Sequence, residues 1–289
     1  MSFVIITDSS ANLPEEFIEQ EQIQVLSLSF FVNGKEYFGY EKGKKTELAP
    51  FYSMMRMKKD IRTSLVNTAL AREMAGQVLS EGKDILYIGF SSGLSGTYQS
   101  VSIVLNDLKI LYPERKIYTV DSLSAALGEG MLVYFAAMQK KEGKTIEEVY
   151  QWLIENRCNI CHWFTVDDLF FLQRGGRISG KNAWVGTALH IKPVMHVNEE
   201  GQLEMVEKVR GRKKALEALI DRYEKDAIDP GKYPVFLNHG DCMKDAEYVM
   251  ERIKERFGVS ECMIRVLEPI VGAHAGPGTI ALFFYGKSR

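Results

Sequence analysis

Ile85-Leu86-Tyr87-Ile88-Gly89-Phe90-Ser91-Ser92-Gly93-Leu94-Ser95-Gly96-Thr97-Tyr98 decides how the chain is read. Its first four residues are an apolar run of strand length, and a polar loop rich in serine and glycine ends that run. From Tyr98 to Leu111 the apolar residues Val101, Val104, Leu105, Leu108 and Leu111 recur at helical spacing. A buried strand, a loop and a helix make half of a βαβ unit, and the same alternation extends to both sides. Upstream, Phe3-Val4-Ile5-Ile6 is a short apolar run ending in Thr7-Asp8-Ser9-Ser10. Gln24 to Val32 is expected as a second strand, and Leu48 to Met57 and Ala69 to Leu79 as helices. Downstream, Lys116 to Val120 reads as a strand ending at Asp121-Ser122, followed by a long helix over roughly 124–141. This alternation implies a parallel sheet with helices on both faces.

In such sheets ligands collect beyond the carboxyl ends of the strands. Three predicted strands end there in hydroxyl- or glycine-rich loops: Asp8-Ser9-Ser10, Ser91-Ser92-Gly93 and Asp121-Ser122. Their convergence points to a site.

The second half has a different pattern. Thr145 to Asn156 is an amphipathic helix linking the halves, and Ile160 to Val166 is a strand. Pro193 to Val209 contains two strand-like runs around Asn198-Glu199-Glu200-Gly201, a hairpin signal. A charged helix over 211–225 and strands at 235–237, 263–267 and 280–285 complete it. The expected architecture is α/β with two domains. Residues 1–158 form a mostly parallel α/β/α sheet domain, and residues 159–289 an α+β domain with a mixed or antiparallel sheet.

Composition bounds the function. The 289 residues are 46% hydrophobic and 26% charged, with a formal net charge of −2, an ordinary globular mixture. Nothing in that balance calls for nucleic acid. No run of about 18 apolar residues predicts a transmembrane helix. Met1 to Ser10 lacks the basic and apolar regions of a signal peptide, so a cytoplasmic protein with four reduced cysteines is expected. Cys158-Asn159-Ile160-Cys161-His162 matches the C-x-x-C-H haem-attachment string, but attachment requires export. A zinc site would need a second close pair, and Cys242 and Cys262 are far apart in sequence. The segment reads as small apolar residues entering a strand, with no metal and no cofactor.

Several motifs carry chemistry. Gly89-Phe90-Ser91-Ser92-Gly93 fits the G-x-S-x-G nucleophile elbow, with Asp121 and then His239 or His274 following in hydrolase order. An elbow passes directly into its helix, whereas Leu94-Ser95-Gly96-Thr97 intervenes here. A serine hydrolase using Ser91 is the alternative reading. Gly175-Gly176-Arg177-Ile178-Ser179-Gly180-Lys181 fits most of a P-loop, but Asn182 stands where magnesium needs a hydroxyl. Ser91 to Thr97 also suits an anion, because small residues before a helix expose N–H groups where the helix dipole favours negative charge. Thr63, in a polar stretch between two helices, adds a hydroxyl to that anion. His274, on a loop flanked by glycines and a proline, adds an imidazole.

Taken together, these residues resemble the DegV family. Thr7-Asp8-Ser9-Ser10-Ala11-Asn12-Leu13-Pro14 looks like its N-terminal signature, and Thr63-Ser64 stands at its Thr-Ser motif. Ser91 to Ser100 resembles its most characteristic block. Asp121-Ser122, Leu172 with Arg174 to Ile178, and His274 to Gly278 follow in the expected order. The resemblance implies two α/β domains with a fatty acid in an apolar tunnel between them. By motif match, Thr63, Ser64, Ser95, Gly96 and His274 hold its carboxylate. It further implies a fatty-acid-binding subunit of fatty acid kinase rather than an enzyme. A separate ATP-binding subunit would make the acyl phosphate, Arg177 and Arg210 would face that partner, and transient membrane contact is compatible with the role. Where the family commonly continues Gln-Pro-Ser, this chain has Leu65-Val66-Asn67, which bears on acyl preference.

Overall fold

The structure, a computed structural model, describes residues 3–44, 46–178 and 190–289. The chain opens with β1 (Phe3–Asp8), α1 (Glu15–Gln20), β2 (Gln24–Leu26), β3 (Ser29–Val32), β4 (Lys35–Phe38), α2 (Leu48–Arg56) and β5 (Ile61–Ser64). It continues through α3 (Thr68–Ser80), β6 (Asp84–Gly89), α4 (Thr97–Leu111), β7 (Ile117–Asp121), α5 (Leu127–Lys141) and α6 (Ile146–Asn156). Then follow β8 (Ile160–Thr165), α7 (Phe170–Arg174), β9 (Ile191–Val197), β10 (Leu203–Arg210) and α8 (Arg212–Asp226). The last elements are β11 (Val235–His239), α9 (Met243–Phe257), β12 (Cys262–Val266), α10 (Pro269–Ala275) and β13 (Ile280–Tyr285).

The first sheet has the order β2-β1-β6-β7, and every pair is parallel. Its central strand β6 is buried along its whole length, as a strand covered on both faces must be. The second sheet has the order β10-β9-β8-β13-β11-β12 and is mixed, with only β11 and β12 parallel. A small antiparallel sheet, β4-β3-β5, stands apart from both. The α/β class and the two kinds of sheet are as the sequence pattern implies. The change of sheet falls at Ile160, but one apolar cluster runs across it, from Ile85 and Leu86 through Leu132 to Phe164 and Phe283.

Helix α5 makes that continuity. It packs on β1 and β6 on one side and on β8, β11 and β13 on the other. Leu127 through Val133 are buried without a break, so no face of its first two turns meets water. Glycines permit the approach. A Cβ on Gly128 would lie 2.9 Å from the Phe283 ring, and one on Gly130 would lie 2.6 Å from the Ala11 carbonyl oxygen. The helix also buries Glu129, whose Oε2 lies 2.7 Å from Ser10 Oγ while Asp8 Oδ1 lies 2.5 Å from that same hydroxyl. One hydroxyl proton cannot serve both acids. Burial pushes both carboxyls up, Glu129 further because of the Asp8 charge, so burial of the pair favours holding a proton between them.

Four local expectations need correction. Gln24 to Val32 is two strands in different sheets, because the Leu28 N–H leaves the ladder to donate to Ser9 Oγ at 3.0 Å. The polar stretch carrying Thr63 is strand β5, paired to β3 with Thr63 opposite Phe30. His274 is not on a loop. Pro269 starts α10 at its first turn, where its missing N–H costs nothing, and His274 lies in the last turn. The helix expected from about residue 124 begins at Leu127, because Leu123 and Ala126 have left-handed φ values of 50° and 53°. Helix α9, which packs on β11 and β12, was not anticipated.

Gly130→Ala is expected to destabilise the protein by about 1–3 kcal/mol in thermal or urea unfolding, because the Ala11 backbone must move. The normal preference of helices for alanine over glycine works in the other direction. A raised melting temperature would show that the helix is not clamped as described.

Candidate functional site

A cavity of about 260 Å³ lies between the two large sheets and the small one. Thr63 reaches it from the small sheet, Leu28 from the link between β2 and β3, Phe90 and Ser95 from the loop after β6, and Phe164 and Ala281 from the second sheet. Leu172, Leu203, Leu267, Ile270 and Val271 add apolar wall. Such a concave site, mostly apolar with a few convergent polar groups, is the usual form of a small-molecule pocket.

The polar groups gather where β5 meets α10. Thr63 Oγ1 lies 2.8 Å from His274 Nε2, a hydrogen bond across 211 positions of sequence. His274 Nδ1 is buried with no partner among the described residues, and it faces Gly175, where any side chain would collide with the ring. A proton on Nε2 therefore leaves no orphaned N–H at Nδ1 and frees the Thr63 hydroxyl hydrogen to donate into the cavity. Burial, with Arg177 and Arg174 adding positive charge nearby, holds His274 down at about 4, so the imidazole is neutral at pH 7.

The loop before α4 is less open than its composition suggests. The Ser91 N–H donates to Ser124 O at 3.0 Å, and the Ser92 N–H donates to Asp121 Oδ1 at 3.1 Å. Gly93, Leu94 and Ser95 all donate to Ser91, at 3.2, 3.1 and 3.0 Å. The Thr97 N–H donates to Ser95 Oγ at 3.2 Å. The exposed N–H nest expected over Ser91 to Thr97 is thus mostly spent on its own loop, which shapes it instead. Gly96 is the N-cap of α4, and a Cβ there would meet only Leu65, at 3.6 Å.

Thr63, Ser64, Ser95 and His274 all line the cavity, and Gly96 stands immediately behind Ser95. Arg177 also lines it, held by its Nε donating to Leu94 O at 3.2 Å and by a second bond to Gly175 O. Arg210 ends β10 as an exposed residue and is not part of the cavity. Leu65, from the unusual Leu65-Val66-Asn67 stretch, is a lining residue, while Val66 is core and Asn67 Oδ1 caps α3 by accepting from Ala69 N at 2.9 Å. Gly175 and His162 were not expected at the site. Gly175 lay inside a glycine-rich string whose tertiary neighbour no spacing rule discloses.

The enzymatic motifs find no support. Ser91 is fully buried and its hydroxyl donates to Gly201 O at 2.8 Å, so it faces a carbonyl where a nucleophile needs a histidine. Asp121 Oδ1 accepts from the Ser92 and Leu123 amides, and His239 Nδ1 accepts from the Cys242 amide. Ser179 to Lys181 of the P-loop-like string lie outside the described residues. No group of three or more metal-ligating side chains and no helix long and apolar enough to cross a membrane occurs among the described residues.

The fold and cavity define a class: a two-sheet α/β protein with an apolar cavity between its sheets and a hydroxyl–imidazole pair at one end. A family profile described as "Uncharacterised protein, DegV family" matches residues 2–287, and the chain belongs to that family. A DegV domain-containing protein of Clostridium perfringens (strain 13 / Type A) is 41% identical over 287 residues, 99% of this chain and 98% of that one. A solved structure described as fatty acid binding of a DegV family protein from Thermus thermophilus superposes with a TM-score of 0.88 at 28% identity, covering 99% of this chain and all (100%) of that one. A DegV lipid-binding protein from Thermotoga maritima superposes with a TM-score of 0.87 at 27% identity, covering 100% of both chains.

His274 should titrate near pH 4 by NMR in protein stripped of bound small molecules. Its folded value lies below the ordinary 6.5, so the stability it contributes is present above pH 6.5 and is lost as pH falls toward 4. Gly175→Ala should push the ring out of its slot and move that titration back toward 6.5. An unchanged titration in this variant would overturn the packing argument.

Proposed function

We propose that this protein binds a long-chain fatty acid and presents its carboxylate to a separate ATP-binding kinase subunit, which makes the acyl phosphate. The observation that carries the first half is the Thr63–His274 hydrogen bond at one end of a mostly apolar cavity. A carboxylate leaving water needs compensating hydrogen bonds. The Thr63 and Ser95 hydroxyls, the neighbouring Gly96 amide and the His274 imidazole are the groups we assign to it, with Ser64 beside them. The apolar walls then take the tail, at about 0.8 kcal/mol per buried methylene. The DegV proteins from Thermus thermophilus and Thermotoga maritima, described as fatty-acid-binding and lipid-binding, support this choice of ligand.

A site that supplies donors and an apolar channel, with no activated nucleophile among the described residues, suits a carrier whose chemistry belongs to a partner. Under this reading residues 1–158 and 159–289 are the two domains. The first contributes Thr63 and Ser95, and the second contributes His274. We assign Arg177, beside the carboxylate end, and exposed Arg210 to the partner-facing rim.

Mass spectrometry of the purified protein, first native and then denatured with organic extraction, tests the ligand. A non-covalent adduct of fatty-acid mass is expected, and a clean apo mass under gentle conditions would argue against it. Thr63→Val and His274→Ala should each weaken fatty-acid binding about tenfold or more, the value of one hydrogen bond to a charged group. Equal retention in both variants would sink the site assignment. Ser91 should resist fluorophosphonate labelling. A Ser91 adduct with ester turnover would restore the hydrolase alternative.

A further inference from the structure

A second cavity, of about 230 Å³, shares no lining residue with the first. Asp8 and Ser9, at the carboxyl end of β1, wall it together with Asn12. That strand end is one of the three whose convergence in the sequence points to a site, and the first cavity takes no residue from it. Glu15 and Glu16 enter from the start of α1, Gly39 and Tyr40 from the chain after β4, and Arg265 and Glu268 from β12 and the residue before α10. Leu13, Ile18, Val25 and Leu48 add apolar wall.

Two polar side chains of this wall are left without partners. Ser9 is 6% exposed, and its Oγ accepts the Leu28 N–H at 3.0 Å, but its hydroxyl proton meets no acceptor among the described residues. Gly39 keeps the space beside it clear, since a Cβ there would lie 2.9 Å from Ser9 Oγ and 2.6 Å from Ile270 Cγ1. The Glu268 carboxyl makes no hydrogen bond among the described residues, and its one ion-pair contact there is with Arg265 Nη2, at 3.7 Å. The Glu268 side chain is 21% exposed and lines the cavity, so a small molecule can reach its oxygens. Burial holds this carboxyl up at about 7, with the Arg265 charge pulling the other way. Groups withdrawn from water without a partner are costly, and each such exception needs a physical reason.

The charge facing the cavity is lopsided. Lys44 is taken by Glu41 at 2.7 Å, and Arg265 stands against Glu268. Asp8 is occupied by the amides of Ser10 and Phe90. Glu15 accepts the Gly43 N–H at 2.6 Å, and neither Glu15 nor Glu16 has an ion-pair partner among the described residues. The excess of carboxylates favours a positive ligand. Since a cavity of about 150 Å³ takes benzene, one of about 230 Å³ admits a molecule of roughly nine non-hydrogen atoms.

We propose that this second cavity binds a small organic amine that also carries a hydroxyl. The Glu268 carboxylate holds the ammonium, and Glu15 and Glu16 add negative charge. The hydroxyl oxygen of the ligand accepts the Ser9 proton, and its carbon skeleton lies against Leu13, Ile18 and Val25.

The test follows the backbone amides of isotope-labelled full-length protein by NMR while aminobutanol, butylamine or butanediol is added. Aminobutanol should shift the Ser9, Gly39 and Glu268 amides saturably. It should bind severalfold tighter than butylamine, which lacks the oxygen, and at least about tenfold tighter than butanediol, which lacks the charge. Glu268→Gln should weaken aminobutanol binding at least about tenfold. Lowering the pH from about 8 to about 6 should weaken it in the wild type, because Glu268 takes up a proton while the amine keeps its own, and should change little in Glu268→Gln. Butylamine or butanediol binding as tightly as aminobutanol would overturn the proposal, as would unchanged affinity in Glu268→Gln or no saturable shift with any probe. Shifts confined to Thr63 and His274 would put the amine in the first cavity and overturn it too. If Glu268→Gln fails to fold, the three probes on the wild type decide. Each of these failures leaves the fatty-acid reading standing, because that reading uses none of these residues.

Discussion

The structure depends on a helix whose first two turns have no solvent face. Helix α5 separates a parallel sheet from a mixed one, and each sheet uses it as its inner cover. Its first N–H, from Leu127, donates to Asn238 Oδ1 on β11 at 2.9 Å, and Asn238 Nδ2 donates to Arg265 O at 3.1 Å. Two residues further on, Glu129 meets the Asp8–Ser10 cluster at the end of β1. Asp8 in turn accepts the Phe90 N–H at 3.0 Å, and Phe90 is a wall of the cavity. A chain of buried polar contacts therefore runs from the helix wedged between the sheets to the site. Each link is costly if broken, because a buried polar group that loses its partner is not rehydrated.

The same burial sets the chemistry of the cavity. It makes His274 a neutral hydrogen-bonding group at pH 7 rather than a fixed cation. A neutral imidazole still donates and accepts hydrogen bonds, so the site holds no uncompensated histidine charge at pH 7. Two arginines remain close. Arg177 is held by backbone carbonyls at the cavity, and Arg174 donates to Lys59 O at 2.9 Å. Their positive charge favours an anion there, Arg177 from the cavity wall itself and Arg174 from outside it.

Much of this was legible beforehand. The βαβ alternation around Ile85 to Leu111, the hairpin at Asn198 to Gly201 and the amphipathic helix from Thr145 to Asn156 are local signals, and the structure forms each as read. Thr63, Ser95 and His274 were marked by residue type and motif, and all line one cavity. Other features were hidden. Leu28 turns the chain out of one sheet and into another because of a serine far away in sequence, Ser9. The loop at Ser91 to Thr97 reads as a row of free amides, but most are taken by Ser91 itself and by Asp121 and Ser124. His162 reads as part of a cysteine motif until its strand face is known.

Periodicity, cap chemistry and turn residues act over a few neighbours, so the sequence alone determined the α/β class, most of the elements and the residue types able to meet an anion. Contacts across hundreds of positions have no local signature. Tertiary structure alone decided that Thr63 bonds His274, that Gly175 makes room for its ring and that His162 faces an apolar cavity. The physical reason is that burial and partner geometry exist only once the two sheets have closed on α5. Those two quantities fix the charge of a histidine and the availability of a hydroxyl.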